Sequence, residues 1–111
     1  MGKIYTINEL VNVISPIAEK HNVSRVYLFG SYARGEANEE SDIDLRIDAA
    51  QIKTLFALGG LYADLEEALG KSLDLVTTEA LIKKKEDPLT RRFIRNMRKD
   101  EKLLYEKVIS G

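Results

Sequence analysis

The sequence contains no cysteine, and only two of its 111 residues are proline and seven are glycine. The absence of cysteine excludes a disulfide framework, a thiol nucleophile and a zinc site with cysteine ligands. It also fits a reducing compartment, and we expect a cytoplasmic protein. Long apolar runs are missing too: the longest stretches without a charged residue, such as residues 54–63, have about half the length of a membrane-spanning helix. We therefore expect no membrane contact.

Composition otherwise fits a folded globular protein, with 44% hydrophobic and 32% charged residues. Such values exclude collagen-like repeats and low-complexity disorder. A chain of this length buries roughly two-thirds of its surface on folding, which is enough for one core. We therefore predict a single domain over residues 1–111.

The formal net charge of −1 hides an uneven distribution along the chain. Residues 1–81 carry 7 basic and 13 acidic side chains, whereas residues 82–111 carry 10 basic and 5 acidic ones. The first part is therefore acidic and the last part basic.

Apolar periodicity predicts an α+β fold, with a small mixed sheet and helices packed on one of its faces. Thr6 and Glu9 form a capping box at the start of the first helix. Pro16 is expected to kink or break that helix near Ser15, because it removes one internal hydrogen bond. The elements that follow are strands at residues 26–29, 42–48 and 72–77, with a helix at 51–69.

A last helix is predicted after one or two helical turns within residues 78–85. Asp87 and Pro88 are typical of the N-cap and the first helical position. We expect this helix to continue through Leu104 to Val108, with apolar residues along one side. Its opposite side is basic and consists of Arg91, Arg92, Arg95, Arg98, Lys99 and Lys102.

The strand at residues 42–48 alternates polar and apolar residues, so Asp42 and Asp44 project side by side from one face. Two carboxylates so close repel each other unless a cation neutralises them. Mg²⁺ binds through one or two carboxylates together with substrate phosphates. Asp74, on the polar face of the strand at 72–77, could supply a third ligand. A solvated strand face with alternating charges is the alternative interpretation.

Gly30 directly follows the apolar strand at residues 26–29, where a short helix could begin. A glycine there lets a ligand approach the backbone closely, and the N–H groups of a helix start attract anions. The Ser31 hydroxyl and the Arg34 guanidinium could add contacts to phosphate oxygens. Alternatively, the segment is an ordinary turn, with Ser31 as an N-cap and Arg34 in solvent.

Taken together, an apolar strand, Gly-Ser and a later Asp-x-Asp pair resemble the signature of the DNA polymerase beta-like nucleotidyltransferases. A longer string is similar to that of the minimal nucleotidyltransferases (MNT), which are small prokaryotic proteins. The string consists of Gly30-Ser31-Tyr32-Ala33-Arg34-Gly35 and Ser41-Asp42-Ile43-Asp44-Leu45.

The resemblance implies transfer of a nucleoside monophosphate, with ATP as the expected substrate. It implies that Asp42 and Asp44 coordinate two Mg²⁺ ions, which brace the attacking and leaving oxygens. It makes Asp74 the third carboxylate, which binds a metal and helps to activate the attacking hydroxyl.

The same resemblance implies that Gly30 and Ser31 hold the triphosphate, with Arg34 as a further phosphate contact. Arg46 and Asp48 depart from the apolar residues often found after the second aspartate. Because of these two residues the net charge of the site is not predicted, but neither of them replaces an expected metal ligand.

The resemblance also implies a partner, because minimal nucleotidyltransferases are often encoded beside HEPN-domain toxins. They act there as antitoxins that adenylylate a tyrosine of the toxin. We expect no room in this chain for an appended acceptor domain, which favours a protein acceptor bound in trans. Two alternatives stay open: an adenylyltransferase for small molecules, and a catalytically idle antitoxin that acts by binding alone.

Nucleic-acid binding through the basic side of the last helix is a further possibility. That side has no aromatic platform, and the net charge gives no general attraction to phosphates. We therefore do not expect nucleic acid as a partner. Contact with an acidic toxin surface, attraction of the triphosphate or plain solvation remain as interpretations of the basic side.

Overall fold

The computed structural model describes residues 3–108 and places five helices and four strands along them. The elements are α1 (Ile7–Lys20), β1 (Arg25–Phe29), α2 (Gly30–Arg34), β2 (Ile43–Asp48), α3 (Leu55–Leu69), β3 (Leu73–Thr77), α4 (Thr78–Lys83), α5 (Pro88–Asp100) and β4 (Lys102–Glu106).

The four strands form one mixed sheet in the order β3-β2-β1-β4. β1 pairs antiparallel with both β2 and β4, whereas β2 and β3 are parallel. A parallel pair needs a crossover connection, and α3 provides it. The predicted α+β class with a small mixed sheet is therefore confirmed.

β2 shows the predicted alternation, with its apolar side chains fully buried and its polar ones half-buried on the opposite face. α1 and α3 pack against the apolar face and close the core there. The core includes Leu10, Ile14 and Ala18 of α1, Val26 and Leu28 of β1, Ile43, Leu45 and Ile47 of β2, and Leu61, Leu65 and Leu69 of α3.

α1 begins with the predicted capping box: the Thr6 hydroxyl accepts from the Glu9 N–H, and the Glu9 carboxylate accepts from the Thr6 N–H. The helix then runs through Pro16 to Lys20 without interruption. Of the two predicted outcomes near Ser15, a kink or a break, the break is therefore absent. Burial of three apolar side chains of α1 offsets the one hydrogen bond that Pro16 cannot make.

The prediction that the last helix continues to Val108 is wrong. α5 ends at Asp100, and Lys102 to Glu106 form β4, so Lys102 does not belong to the basic side of α5. Pairing with β4 satisfies backbone groups of β1 that an edge strand would leave unpaired. Leu104 enters the core from β4, whereas Val108 lies beyond the strand and is 87% exposed.

α4 and α5 partly cover the polar face of the sheet. With α1 and α3 on the apolar face, helices therefore lie on both faces of the sheet. Tyr27 and Arg46 of the polar face line a pocket with Leu81 of α4 and with Ile94 and Met97 of α5. The rest of the polar face, near the start of β2, carries the carboxylates described below. Among residues 3–108, no helix has the length and apolar character needed to cross a bilayer.

Candidate active site

The pairing of β2 with β3 brings two of the three predicted carboxylates together. Asp44 and Asp74 are direct partners in the parallel register, so their side chains lie next to each other on the polar face. Asp42 precedes β2 by one residue. Asp42 and Asp74 are exposed, and Asp44 is half-buried. The fold thus gathers carboxylates that are distant in the sequence at one end of the sheet.

The environment of Asp44 raises the pKa of its carboxyl to about 6. Burial is the largest cause, followed by a hydrogen bond with Asp74 and by repulsion from the charges of Asp74 and Asp42. Arg34 opposes the shift by attraction. The site therefore has an excess of negative charge that the nearby guanidinium does not balance.

Gly30 lies directly against Asp44 and has a backbone conformation that suits glycine, with φ of +72°. A β-carbon at this position would collide with the Asp44 carboxylate. Two independent constraints therefore require glycine here: the positive φ and the space that the carboxylate fills.

Ser31 is placed by the short helix α2, which starts where β1 ends. Tyr32 and Ala33 are buried and anchor this helix to the core. Phe29, the last residue of β1, is the register partner of Asp44. The Gly30-Ser31 turn at the end of β1 consequently lies next to Asp44 on the neighbouring strand.

Arg34 is less directly involved than the other predicted residues. Its Nε donates to Glu36 at 3.0 Å, and its Nη1 lies 3.4 Å from an oxygen of Asp100. These partners tie the guanidinium to the end of α5. It acts on Asp44 through its charge, and the structure shows no contact between the two side chains.

The three carboxylates suit Mg²⁺ by their chemistry. Hard oxygen donors with surplus negative charge are what this ion prefers. In the conformation described, the Asp44 carboxylate lies against Gly30, and no three acidic or histidine side chains of residues 3–108 surround a common point. The donor set fits the ion by its chemistry, and Asp42, Asp44 and Asp74 are the residues that would hold it.

A second polar cluster lies on the same face, and its structural role was not predicted from the sequence. Arg46 donates two hydrogen bonds from Nη2 and one from Nε to the Glu101 carboxylate, at 3.0–3.2 Å. Its Nη1 donates to the Thr78 hydroxyl at 2.8 Å, and its guanidinium stacks on the Tyr27 ring at 3.9 Å. The cluster holds the start of α4 and the end of α5 onto the sheet.

The sequence offered only a weak signal for this cluster, namely that Arg46 and Asp48 are unusual after an Asp-x-Asp pair. Asp48 accepts a hydrogen bond from the Thr78 hydroxyl at 2.5 Å. Both residues therefore have a structural role on the polar face of β2, after Asp44 along the strand.

Comparison with known proteins gives a family model, described as polymerase beta nucleotidyltransferase, that matches residues 12–109. A Methanocaldococcus jannaschii protein, named as a candidate protein adenylyltransferase, is 45% identical over 75 residues, covering 68% of this chain and 81% of that protein. The protein adenylyltransferase MntA of Thermococcus cleftensis is 35% identical over 80 residues, with coverage of 68% and 81%.

Solved structures agree with this assignment. A chain of a toxin-antitoxin crystal structure with AMP-PNP is similar with a TM-score of 0.66 and 26% identity, covering 87% of this chain and 73% of that one. A structure of a tri-AMPylated Shewanella oneidensis HEPN toxin with its MNT antitoxin shares the fold, with a TM-score of 0.57, 21% identity and coverage of 92% and 71%. With the family model matching most of its length, this chain belongs to the polymerase beta-type nucleotidyltransferase family.

Proposed function

We propose that this nucleotidyltransferase transfers AMP from ATP to a tyrosine hydroxyl of a HEPN-domain toxin, with Mg²⁺ at the carboxylates. By modifying the toxin it acts as the antitoxin of the pair.

One observation supports the site most strongly: Asp44 stands beside Asp74 in the β2–β3 register while its carboxylate fills the space above Gly30. A bound triphosphate must be able to contact Gly30 and the metal held by the carboxylates at the same time. The contact of Gly30 with Asp44 meets this requirement without a large rearrangement.

The residues can then be given roles in the transfer. Gly30 and Ser31 hold the triphosphate, with Arg34 contributing positive charge, and Asp42 and Asp44 would hold Mg²⁺. When bound, the ion supplies positive charge to the triphosphate. The main work of the protein is to position the reactants and stabilise their charge.

The proposal gives Asp74 the role of accepting the proton of the acceptor hydroxyl. The hydroxyl oxygen of the tyrosine forms a bond to the α-phosphorus, and the bond from that phosphorus to the bridging oxygen of the β-phosphate breaks. Pyrophosphate leaves, and the hydroxyl proton passes to a carboxylate oxygen of Asp74. Asp74 is exposed, so an acceptor can reach it.

The names of the relatives support a protein as the acceptor. The Thermococcus cleftensis relative is called a protein adenylyltransferase, and a similar solved structure is a toxin-antitoxin complex with AMP-PNP. The structure with an AMPylated HEPN toxin, which shares the fold, suggests the class of toxin.

The test uses the protein, Mg²⁺ and the HEPN-domain protein encoded beside it, with ATP labelled either at the α- or at the γ-phosphate. We expect label on the partner from α-labelled ATP only, at a tyrosine located by peptide mass spectrometry. Label from γ-labelled ATP would indicate a kinase instead. A stable complex without any label would favour the idle antitoxin.

A further inference from the structure

The segment from α4 to the end of α5 carries a concentration of basic side chains, all of them exposed. We call this surface the basic face. It consists of Lys83, Lys84, Lys85, Arg91, Arg92, Arg95, Arg98 and Lys99.

Cations of the basic face differ from the arginines elsewhere in the fold. Arg25, Arg34 and Arg46 are each paired with carboxylates. Within residues 3–108, no side chain of the basic face forms an ion pair with a carboxylate. Among residues 3–108, these cations are therefore free of close carboxylate partners, although Glu86 and Asp87 lie in the same segment.

Apolar side chains stand among these cations. Leu89 of α5 is 74% exposed, and Ile82 of α4 is 58% exposed. Between α5 and the turn before it, a groove of about 430 Å³ is lined by Ile94 together with four of the cations. Protein interfaces combine arginine with apolar side chains, whereas binding of nucleic-acid phosphates does not require exposed leucine or isoleucine.

The helix α5, which carries most of the basic face, packs beside the carboxylate site through its opposite side. Phe93 of α5 packs edge-on against Phe29, with ring centroids 5.7 Å apart. Phe29 is in turn the register partner of Asp44. Asp100, at the end of α5, contacts Arg34 of α2. A protein docked on the basic face is therefore held on the outer side of the helix that borders the carboxylates, and its acceptor residue must extend past α5 to reach them.

We propose that the basic face docks an acidic segment of the protein acceptor and so presents the acceptor hydroxyl to the carboxylates. This rests on the proposed function, because it takes the acceptor to be a protein. The unpaired cations select carboxylate-rich chains, and the exposed Leu89 and Ile82 contact apolar side chains of the same segment. Opposite charges also speed the encounter of the two proteins.

The closing experiment compares Arg91→Glu/Arg95→Glu with Lys53→Glu, a charge reversal at an exposed lysine before α3. Fluorescence anisotropy measures binding of a labelled peptide rich in glutamate around one tyrosine. A peptide with glutamine in place of glutamate and a single-stranded RNA of equal charge serve as further probes. Helical circular dichroism checks the fold of each variant.

We expect the acidic peptide to bind, and the double reversal to weaken it by about tenfold, while Lys53→Glu changes it by less than about twofold. RNA binding that exceeds peptide binding, or equal affinities for the two peptides, would overturn the proposal. So would equal losses in the two variants.

A second readout separates this proposal from the proposed function. The rate of AMP transfer to the HEPN-domain partner is measured as a function of partner concentration. The double reversal should raise the KM for the partner while the thermal stabilisation by ATP and Mg²⁺ stays as in the wild type. Absence of transfer by the wild-type protein contradicts the proposed function alone and leaves the peptide result to decide the docking surface.

Discussion

The Asp44 carboxylate occupies the space that a β-carbon on residue 30 would need, so these two residues are matched to each other. Their contact joins the end of β1 to the second residue of β2. It sets the distance between the turn that is proposed to hold phosphate and the carboxylates that are proposed to hold metal. Changes at Gly30 should therefore act through Asp44.

Gly30→Ala tests this relationship. The new methyl group displaces the Asp44 carboxylate, and the positive φ adds strain of about 1 kcal/mol. We expect AMP transfer to fall by about 100-fold, because misplacement of reacting groups by about 1 Å has effects of this size. Initial rates with saturating ATP measure it.

Gly70→Ala is the matched control. Gly70 also has a positive φ, of +64°, but a β-carbon there would meet no atom within 4 Å. It should lose similar stability in urea unfolding and keep its transfer rate. If both variants lost activity equally, backbone strain alone would explain the effect, and the contact with Asp44 would be irrelevant.

Asp44→Asn should alter how the stability of the metal-free protein depends on pH. The pKa of Asp44 in the folded protein, about 6, lies above its ordinary 3.8. Its stabilising contribution is therefore complete below about pH 4 and is lost as the pH rises through about 6. The advantage of the variant over the wild type in EDTA should grow with pH by about 1 kcal/mol, because the site remains in contact with water.

Urea unfolding at a series of pH values measures this difference, with Glu40→Gln as the control for loss of one exposed charge. Mg²⁺ should reduce the difference at neutral pH by stabilising the wild type. A difference that stays constant across the range would mean that Asp44 is equally easy to ionise in the folded and unfolded chain.

The Arg46–Glu101 pair should contribute more to stability than an exposed pair. Its side chains are only 13% and 16% exposed. Glu101→Ala leaves a half-buried guanidinium without its main partner, and we expect a loss of about 3 kcal/mol. The double variant Arg46→Met/Glu101→Met should recover most of it. Urea unfolding provides the values.

Glu106→Ala serves for comparison, because Glu106 pairs with Arg25 at a site where both side chains are about half exposed. That variant should lose less than about 1 kcal/mol. Equal losses in the two single variants would contradict a special role of the Arg46 cluster in holding α5.

Leu104→Ala and Val108→Ala distinguish the strand β4 from a continued helix. Leu104 is buried in the core from β4, and Val108 is exposed. We expect a loss of about 3 kcal/mol for the first and almost none for the second. Similar losses would fit the continued helix, in which both residues share one apolar side.

Local patterns in the sequence were sufficient for much of the fold. The capping box of α1, the alternation of β2 and the Asp87-Pro88 start of α5 are all encoded within a few residues. The C-terminal strand was not predictable in this way. The apolar residues at 103–105 suit a helix or a strand equally, and the free edge of β1 decides between them.

In the candidate site, too, some features were predictable from the local sequence and others were not. Asp42, Asp44 and Gly30 were singled out because their combined motif resembles the nucleotidyltransferase signature, and the structure places them at one end of the sheet. The bonding of Arg46 to Glu101, 55 residues away, depends on where α5 ends. Long-range pairing of this kind leaves no periodic signal in the sequence.

The central claim is that the carboxylates on β2 and β3 transfer AMP to a protein. The most direct measurement is the initial rate of α-label transfer to the HEPN-domain partner by Asp44→Asn and by Glu40→Gln, each of which removes one negative charge. We expect a loss of about 100-fold or more for Asp44→Asn and a wild-type rate for Glu40→Gln. Equal rates for both variants would contradict it.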